Sequence, residues 1–176
     1  MSFFSELRLW FNNHVISSIP SHFVRNLWYR YLMNFLIGKN SSIHLSVTFD
    51  CASGFFLGNN STINSGCRID NRGSIKIGSN VCISEQVTIL TADHDLHSLT
   101  FEGRNRSVEI SDFVFIGTRA LLLPGVKLGE GSAVAAGSIV TKSVEPFVIV
   151  AGVPARPIGT RPRTLNYTAS YRRLFK

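Results

Sequence analysis

From Ile37 onward an apolar residue returns at every sixth position, and few architectures can absorb that spacing. The series runs Ile37, Ile43, Phe49, then Leu57, Ile63, Ile69, then Ile77, Ile83, Ile89, then Ile110, Ile116, Leu122, then Leu128, Val134, Val140. With 44% of the chain hydrophobic, fifteen consecutive matches arise by chance with odds on the order of 10⁻⁶ to 10⁻⁵, and three freely placed register breaks do not rescue chance. A six-residue leg is too short to hide its apolar residue alone, so legs must stack on copies of themselves and bury a continuous ladder. Three legs make one triangular coil.

Two further periodicities support the coil. The position four after each anchor is small or β-branched in most cases, including Ser41, Val47, Ser53, Ser61, Cys67, Gly73, Val81 and Val87, as a tight interior corner requires. The residue after the anchor is Gly at 38, 58, 78, 117 and 129, often leading into a polar turn. Coil starts are separated by 57−37=20, 77−57=20, 110−77=33 and 128−110=18 residues. Against an 18-residue coil, the third therefore carries a fifteen-residue excursion, the place to look for chemistry.

The 176 residues and 19.5 kDa suit a single domain. The low charged fraction of 16% excludes disorder, and no apolar run approaches the roughly 20 residues needed to cross a bilayer. Cys51, Cys67 and Cys82 cannot all pair and lack C-x-x-C spacing, so they read as small buried fillers. Glu6 and Arg8 interrupt the early apolar residues before a leader's apolar core forms, which predicts a cytoplasmic protein.

Residues 1–36 read as two amphipathic helices, with Phe3, Phe4, Leu7, Trp10, Phe11, His14 and Val15 on one face of the first. Val24, Leu27, Trp28, Tyr31, Leu32 and Phe35 follow on the second, after Pro20 and a Ser21 cap. The expected role is packing against the rest of the protein or its oligomer. The alternative is a membrane-surface or acceptor-binding element, with Arg25 and Arg30 on the polar side.

The terminal coils carry the most specific motifs. Ser111-Asp112-Phe113-Val114-Phe115-Ile116-Gly117 runs into Leu123-Pro124-Gly125-Val126. Ala135-Ala136-Gly137-Ser138-Ile139-Val140-Thr141-Lys142 and Ala151-Gly152-Val153-Pro154-Ala155-Arg156 follow. From Ile37 to about Ile158 the chain resembles the hexapeptide-repeat acyltransferases, in the maltose, galactoside and capsular-sugar O-acetyltransferase branch. The resemblance implies a mainly β fold: a left-handed parallel β-helix of about five triangular coils over 37–158. N-terminal α-helices precede it, an active-site loop is extruded at 90–109, and a basic tail follows at 159–176. Handedness comes from the resemblance alone, since ordinary parallel crossovers are right-handed.

The resemblance also implies a site. His94, in Thr91-Ala92-Asp93-His94-Asp95, stands where the family opens its active-site loop, which here continues through His97, Phe101, Arg104 and Arg106. Imidazole suits acyl transfer from an activated thioester, because the reaction needs only a base that works near neutrality. Asp95, or alternatively Asp93 or Glu85, would orient the ring, or Asp95 would merely turn the loop. Asn64 is placed to donate to a sugar hydroxyl or to stabilise its corner, and Phe115 stands where the branch commonly has Trp, as an acceptor wall. Gly117, Thr118, Ala136, Thr141, Lys142 and Arg156 would line the track of acetyl-coenzyme A. Small Gly117 and Ala136 admit an extended thiol arm, and Lys142 and Arg156 meet phosphates.

The implied activity is acetyl-coenzyme A dependent O-acetylation of a sugar or saccharide hydroxyl, with surface polysaccharide biosynthesis as a setting and a homotrimer as the assembly. N-acetylation of an amino sugar and a non-catalytic structural subunit are the alternatives. No metal is expected: a zinc-binding hydratase would need several converging histidines, whereas only His94 and His97 are near one another. Nucleic acid is not expected either, for want of a basic stripe interleaved with aromatics. The net charge of +7 divides as +1 over residues 1–141 (11 basic, 10 acidic) and +6 over 142–176 (seven basic, Glu145). That places the surplus where the donor phosphates are expected.

Overall fold

A computed structural model describes residues 3–171. The sixfold periodicity becomes a parallel β-solenoid with three flat faces. The first face stacks Leu36–Ile37, Phe55–Leu57, Ile75–Ile77, Val108–Ile110 and Lys127–Leu128. The second stacks Ser42–Ile43, Thr62–Ile63, Cys82–Ile83, Phe115–Ile116, Ala133–Val134 and Val148–Ala151. The third stacks Thr48–Phe49, Arg68–Ile69, Thr88–Ile89, Leu121–Leu122 and Ile139–Val140. These make five complete coils and a partial sixth.

All fifteen predicted anchors are buried and fall into three registered ladders. One is Ile43, Ile63, Ile83, Ile116 and Val134, which Val150 of the sixth coil extends. Two interior positions differ from expectation. Ser53 and Gly73 do not fill the corner; Phe55 and Ile75 do, each two residues before its anchor. The two-residue insertions fall ahead of these strands, so the corner keeps its distance from the following anchor rather than the preceding one.

A further period-six feature is conformational. The residue three before an anchor has positive φ at nearly every corner, from Asn40, Asn60 and Asn80 to Gly66, Gly131 and Gly137, and even at Gln86, Phe113 and Arg119. Asn and Gly accept this region most readily. The glycines that follow anchors answer a different demand: a Cβ on Gly58 would stand 2.5 Å from the carbonyl carbon of Gly78, and one on Gly117 2.5 Å from the nitrogen of Ala136.

The helices α1 (Phe3–His14) and α2 (His22–Tyr31) form as expected, with the Ser21 hydroxyl accepting from the Val24 N–H. They lie across the open end of the first coil, where Asn13 pairs with the Phe49 backbone and buried Arg25 donates to the Ile43 carbonyl. Tyr29, Phe35, Phe49 and Phe55 close that end as an aromatic cluster, with neighbouring ring centroids 4.7–5.7 Å apart. The orientation corrects the expected packing within this chain. Asn12, Arg25 and Tyr29 face inward, while Phe3, Phe4, Leu7, Trp10, Phe23 and Tyr31 remain exposed.

At the other end Val148–Ala151 joins the second face, and Arg156–Thr160 pairs antiparallel beside it, two residues past the expected boundary at 158. The chain then turns back rather than trailing into solvent. Arg161 donates to the carbonyls of Phe113 and Gly131, the Tyr167 hydroxyl to that of Phe113, and Ser42 to that of Tyr171, which thus lies beside the first coil. Arg172, Arg173 and Lys176 of the basic tail lie outside the described residues. Cys67 is buried, and burial pushes its thiol up to about 12, as suits a filler; Cys51 and Cys82 are half-buried.

Candidate active site

The fifteen-residue excursion springs from the corner between the third and first faces. It is an antiparallel hairpin, Ala92–His94 against Gly103–Asn105, and the chain re-enters the first face at Val108, inside the expected 90–109 span. Its root is held by a group that periodicity does not single out. Asp70, fully buried, accepts from the backbone N–H groups of Thr91 and Ala92 and from the Arg72 guanidinium. Burial by itself would raise this carboxyl, but the bonds from Arg72 and the Thr91 backbone hold it below its ordinary value.

A depressed folded pKa means that the Asp70 carboxylate contributes stability in full above about pH 5, lost as pH falls through the folded value. Asp70→Asn is therefore expected to cost about 2–3 kcal/mol at neutral pH. The difference from wild type should shrink in acid, as read by urea melts at a series of pH values. A pH-independent difference would mean that charge is not involved.

His94 sits on the first strand of the hairpin, exposed at the mouth of a cavity of about 330 Å³ lined by Arg72, Ala92, Asp93, Gly103, Arg104 and Asn105. Its ring stacks flat on Phe101, centroids 4.3 Å apart, and its Nδ1 lies 2.9 Å from the Phe101 carbonyl. A carbonyl only accepts, so Nδ1 carries the proton and Nε2 is the basic nitrogen. This corrects the orienting role expected of a carboxylate. Asp95 instead receives the His97 N–H and pairs with Arg104 at 3.3 Å, while Asp93 binds Arg104 and Arg106. Those pairings stiffen the hairpin, with the two guanidiniums holding the Asp93 carboxyl below its usual range. Glu85 is on another corner, its carbonyl bound to the Arg119 N–H.

The remaining predicted residues form two groups. Thr141 and Lys142 lie exposed on the same corner as the hairpin, two coils further on, and Lys142 shares a cavity of about 360 Å³ at the solenoid mouth with Arg156. Asn64, Gly117, Thr118 and Ala136 lie on the other border of the third face, where it meets the second, with Phe115, 40% exposed, on the second face nearby. One donor of Asn64 is spent inside the coil, on the Ile83 carbonyl. Gly117 is buried by the coil stacking on it. One chain thus brings His94, Thr141 and Lys142 to one corner, with Arg156 near Lys142, and leaves Asn64, Phe115, Gly117, Thr118 and Ala136 on another, so that the expected thiol-arm residues are divided between the two. Among the described residues no three His, Cys, Asp or Glu side chains converge as metal ligands.

Comparison with known proteins agrees with the repeat and the fold. Residues 108–142, the coils that follow the hairpin, match the model of the hexapeptide repeat of succinyl-transferase. The chain superposes with TM-score 0.81 and 26% identity on a hexapeptide-repeat acetyltransferase of Vibrio cholerae complexed with acetyl-coenzyme A, covering 88% of this chain and 85% of the other. The chain has the repeat and the fold of the hexapeptide-repeat acetyltransferases. Within that family, a galactoside acetyltransferase in complex with coenzyme A superposes with TM-score 0.78 at 29% identity, covering 93% and 84% of the two chains. The galactoside O-acetyltransferase of Escherichia coli is 42% identical over 82 residues, 45% of this chain and 40% of that protein. The matched segments span about 40% of the length of such curated relatives.

Proposed function

We propose that this protein is an acetyl-coenzyme A dependent O-acetyltransferase acting on a sugar or saccharide hydroxyl. The observation that carries the proposal is the His94 ring, locked by the Phe101 carbonyl with Nε2 as its basic nitrogen. The acceptor hydroxyl attacks the thioester carbonyl as Nε2 takes its proton, and a backbone N–H stabilises the tetrahedral oxyanion. Collapse breaks the carbon–sulfur bond, and the imidazolium returns the proton to the departing thiolate. Lys142 and Arg156 are assigned to the phosphates of the donor, and the surroundings of Gly117, Thr118, Ala136 and Thr141 to its thiol arm. The free cysteines suit a reducing, cytoplasmic setting.

The two borders of the third face support a homotrimer. Copies related by a threefold axis along the solenoid would set the His94 corner of one against the Asn64–Gly117 border of the next, completing a site that neither holds alone. The test is thiol release from acetyl-coenzyme A with a panel of oligosaccharides, nucleotide sugars and amino sugars, with sedimentation at three times 19.5 kDa as its companion. O-acetylated product from a saccharide is expected. Transfer only to amines would replace the substrate class, and a monomer in solution would remove the shared site.

A further inference from the structure

The two N-terminal helices form a layer that is apolar on the wrong side for a protein standing alone. Phe11 and Trp28 pack side by side between them, centroids 5.2 Å apart, and Arg8 of α1 bonds the Leu32 carbonyl after α2. The layer is anchored on the coil by Asn13 and Arg25 and turns Phe3, Phe4, Leu7, Trp10, Phe23 and Tyr31 outward, with Phe4 74% and Phe23 73% exposed. Large apolar side chains exposed in this number on one helical layer mark a contact. Neither helix is long and apolar enough to cross a membrane.

The described C-terminal segment ends beside this layer. The second face carries that segment back along the solenoid to the first coil, where the Tyr171 carbonyl accepts from Ser42 and its ring stands 6.4 Å from His44. His44 in turn meets His22, the first residue of α2, at 5.3 Å. The cap itself holds Arg8, Arg30 and nearby Lys39 against a single carboxylate, Glu6. Aromatic and leucine side chains on one face, rimmed by cations, are the composition of helices that lie in an anionic bilayer interface. A second copy of the cap would bring cations against cations.

We propose that the helical cap is a docking surface for an anionic lipid bilayer, with α1 and α2 lying in the interface plane and Arg8, Arg30 and Lys39 supplying the charge. The cap and the Lys142–Arg156 mouth are at opposite ends of the solenoid, so lipid contact leaves the donor end in water.

The test is co-sedimentation of the full chain with large vesicles of phosphatidylcholine alone and of phosphatidylcholine with 30% phosphatidylglycerol. Binding to the anionic vesicles is expected to be at least tenfold tighter and to weaken at 0.5 M salt. The triple variant Phe4→Ser, Leu7→Ser, Phe23→Ser should lose it with melting temperature and thiol release unchanged. Absence of vesicle binding, or binding untouched by the triple substitution, would overturn the proposal. So would a concentration-dependent doubling of mass that the triple variant abolishes without any lipid effect, since the cap would then be a self-association surface.

Discussion

Alanine in place of His94 is expected to lower the rate of acetyl transfer by about 10²–10⁴-fold, the range of a general base in such a reaction. Donor binding and the melting temperature should stay near wild type, because the His94 side chain is exposed on the hairpin and buries nothing in the coil. The ring's partner makes the expectation sharper. Nδ1 is held by the main-chain carbonyl of Phe101, which no substitution removes, whereas Asp95 is engaged with Arg104 and the His97 N–H. Asp95→Asn should therefore cost less than about tenfold, where a carboxylate of a catalytic triad would cost about 10⁴-fold. Equal and large losses from both substitutions would restore the triad. Near-full activity in His94→Ala, measured by thiol release at saturating donor, would move the base elsewhere.

Gly58→Ala is expected to destabilise the solenoid by about 3 kcal/mol or more, near the upper end of overpacking penalties. The added Cβ would meet the carbonyl carbon and oxygen of Gly78 at 2.5 Å, and that backbone is fixed by the coils on both sides, with the Gly58 N–H itself donating to Ile77 at 2.8 Å. At this chain length the penalty is roughly a 10 °C fall in melting temperature. Gly137→Ala is the control. Its φ of +68° carries a conformational cost of about 1 kcal/mol, but nothing lies within 4 Å of the new atom. Calorimetric melts that rank the two variants the other way round would show that coil stacking is not what demands glycine after the anchor.

The site was legible where its residues sit in the repeat or interrupt it. His94 is marked by the excursion, and Lys142 and Arg156 by the terminal motifs. Asp70 was not legible, because in sequence it is one polar corner residue among many. Its importance comes from reaching the Thr91 and Ala92 backbone one coil later, a contact made across 21 and 22 positions. The Phe101 carbonyl carries no side-chain signal at all. The aromatic periodicity of the helices marks an apolar face without saying what covers it. Here Arg25 took the inner side, where its guanidinium donates to the Ile43 and Ile19 carbonyls, and Tyr29 joined the aromatic cluster that closes the first coil.

What the sequence by itself determined is the coil. Each six-residue leg records its own inward residue and its own left-handed corner, so a local pattern repeated five times specifies three faces and their register without any long-range information. What only the tertiary structure decided is where the basic surplus goes. Read along the chain, six net positive charges gather beyond residue 141, beside the expected donor site. Among the described residues, Lys142 and Arg156 line that mouth and Arg163 lies over the Phe147 ring. Arg161 is bound to the coil's carbonyls, and the described chain then runs back to the first coil, tied there by hydrogen bonds such as Ser42 to Tyr171, 129 positions apart. No spacing rule in a sequence encodes a contact of that kind, because it depends on the solenoid wall that lies between its two ends.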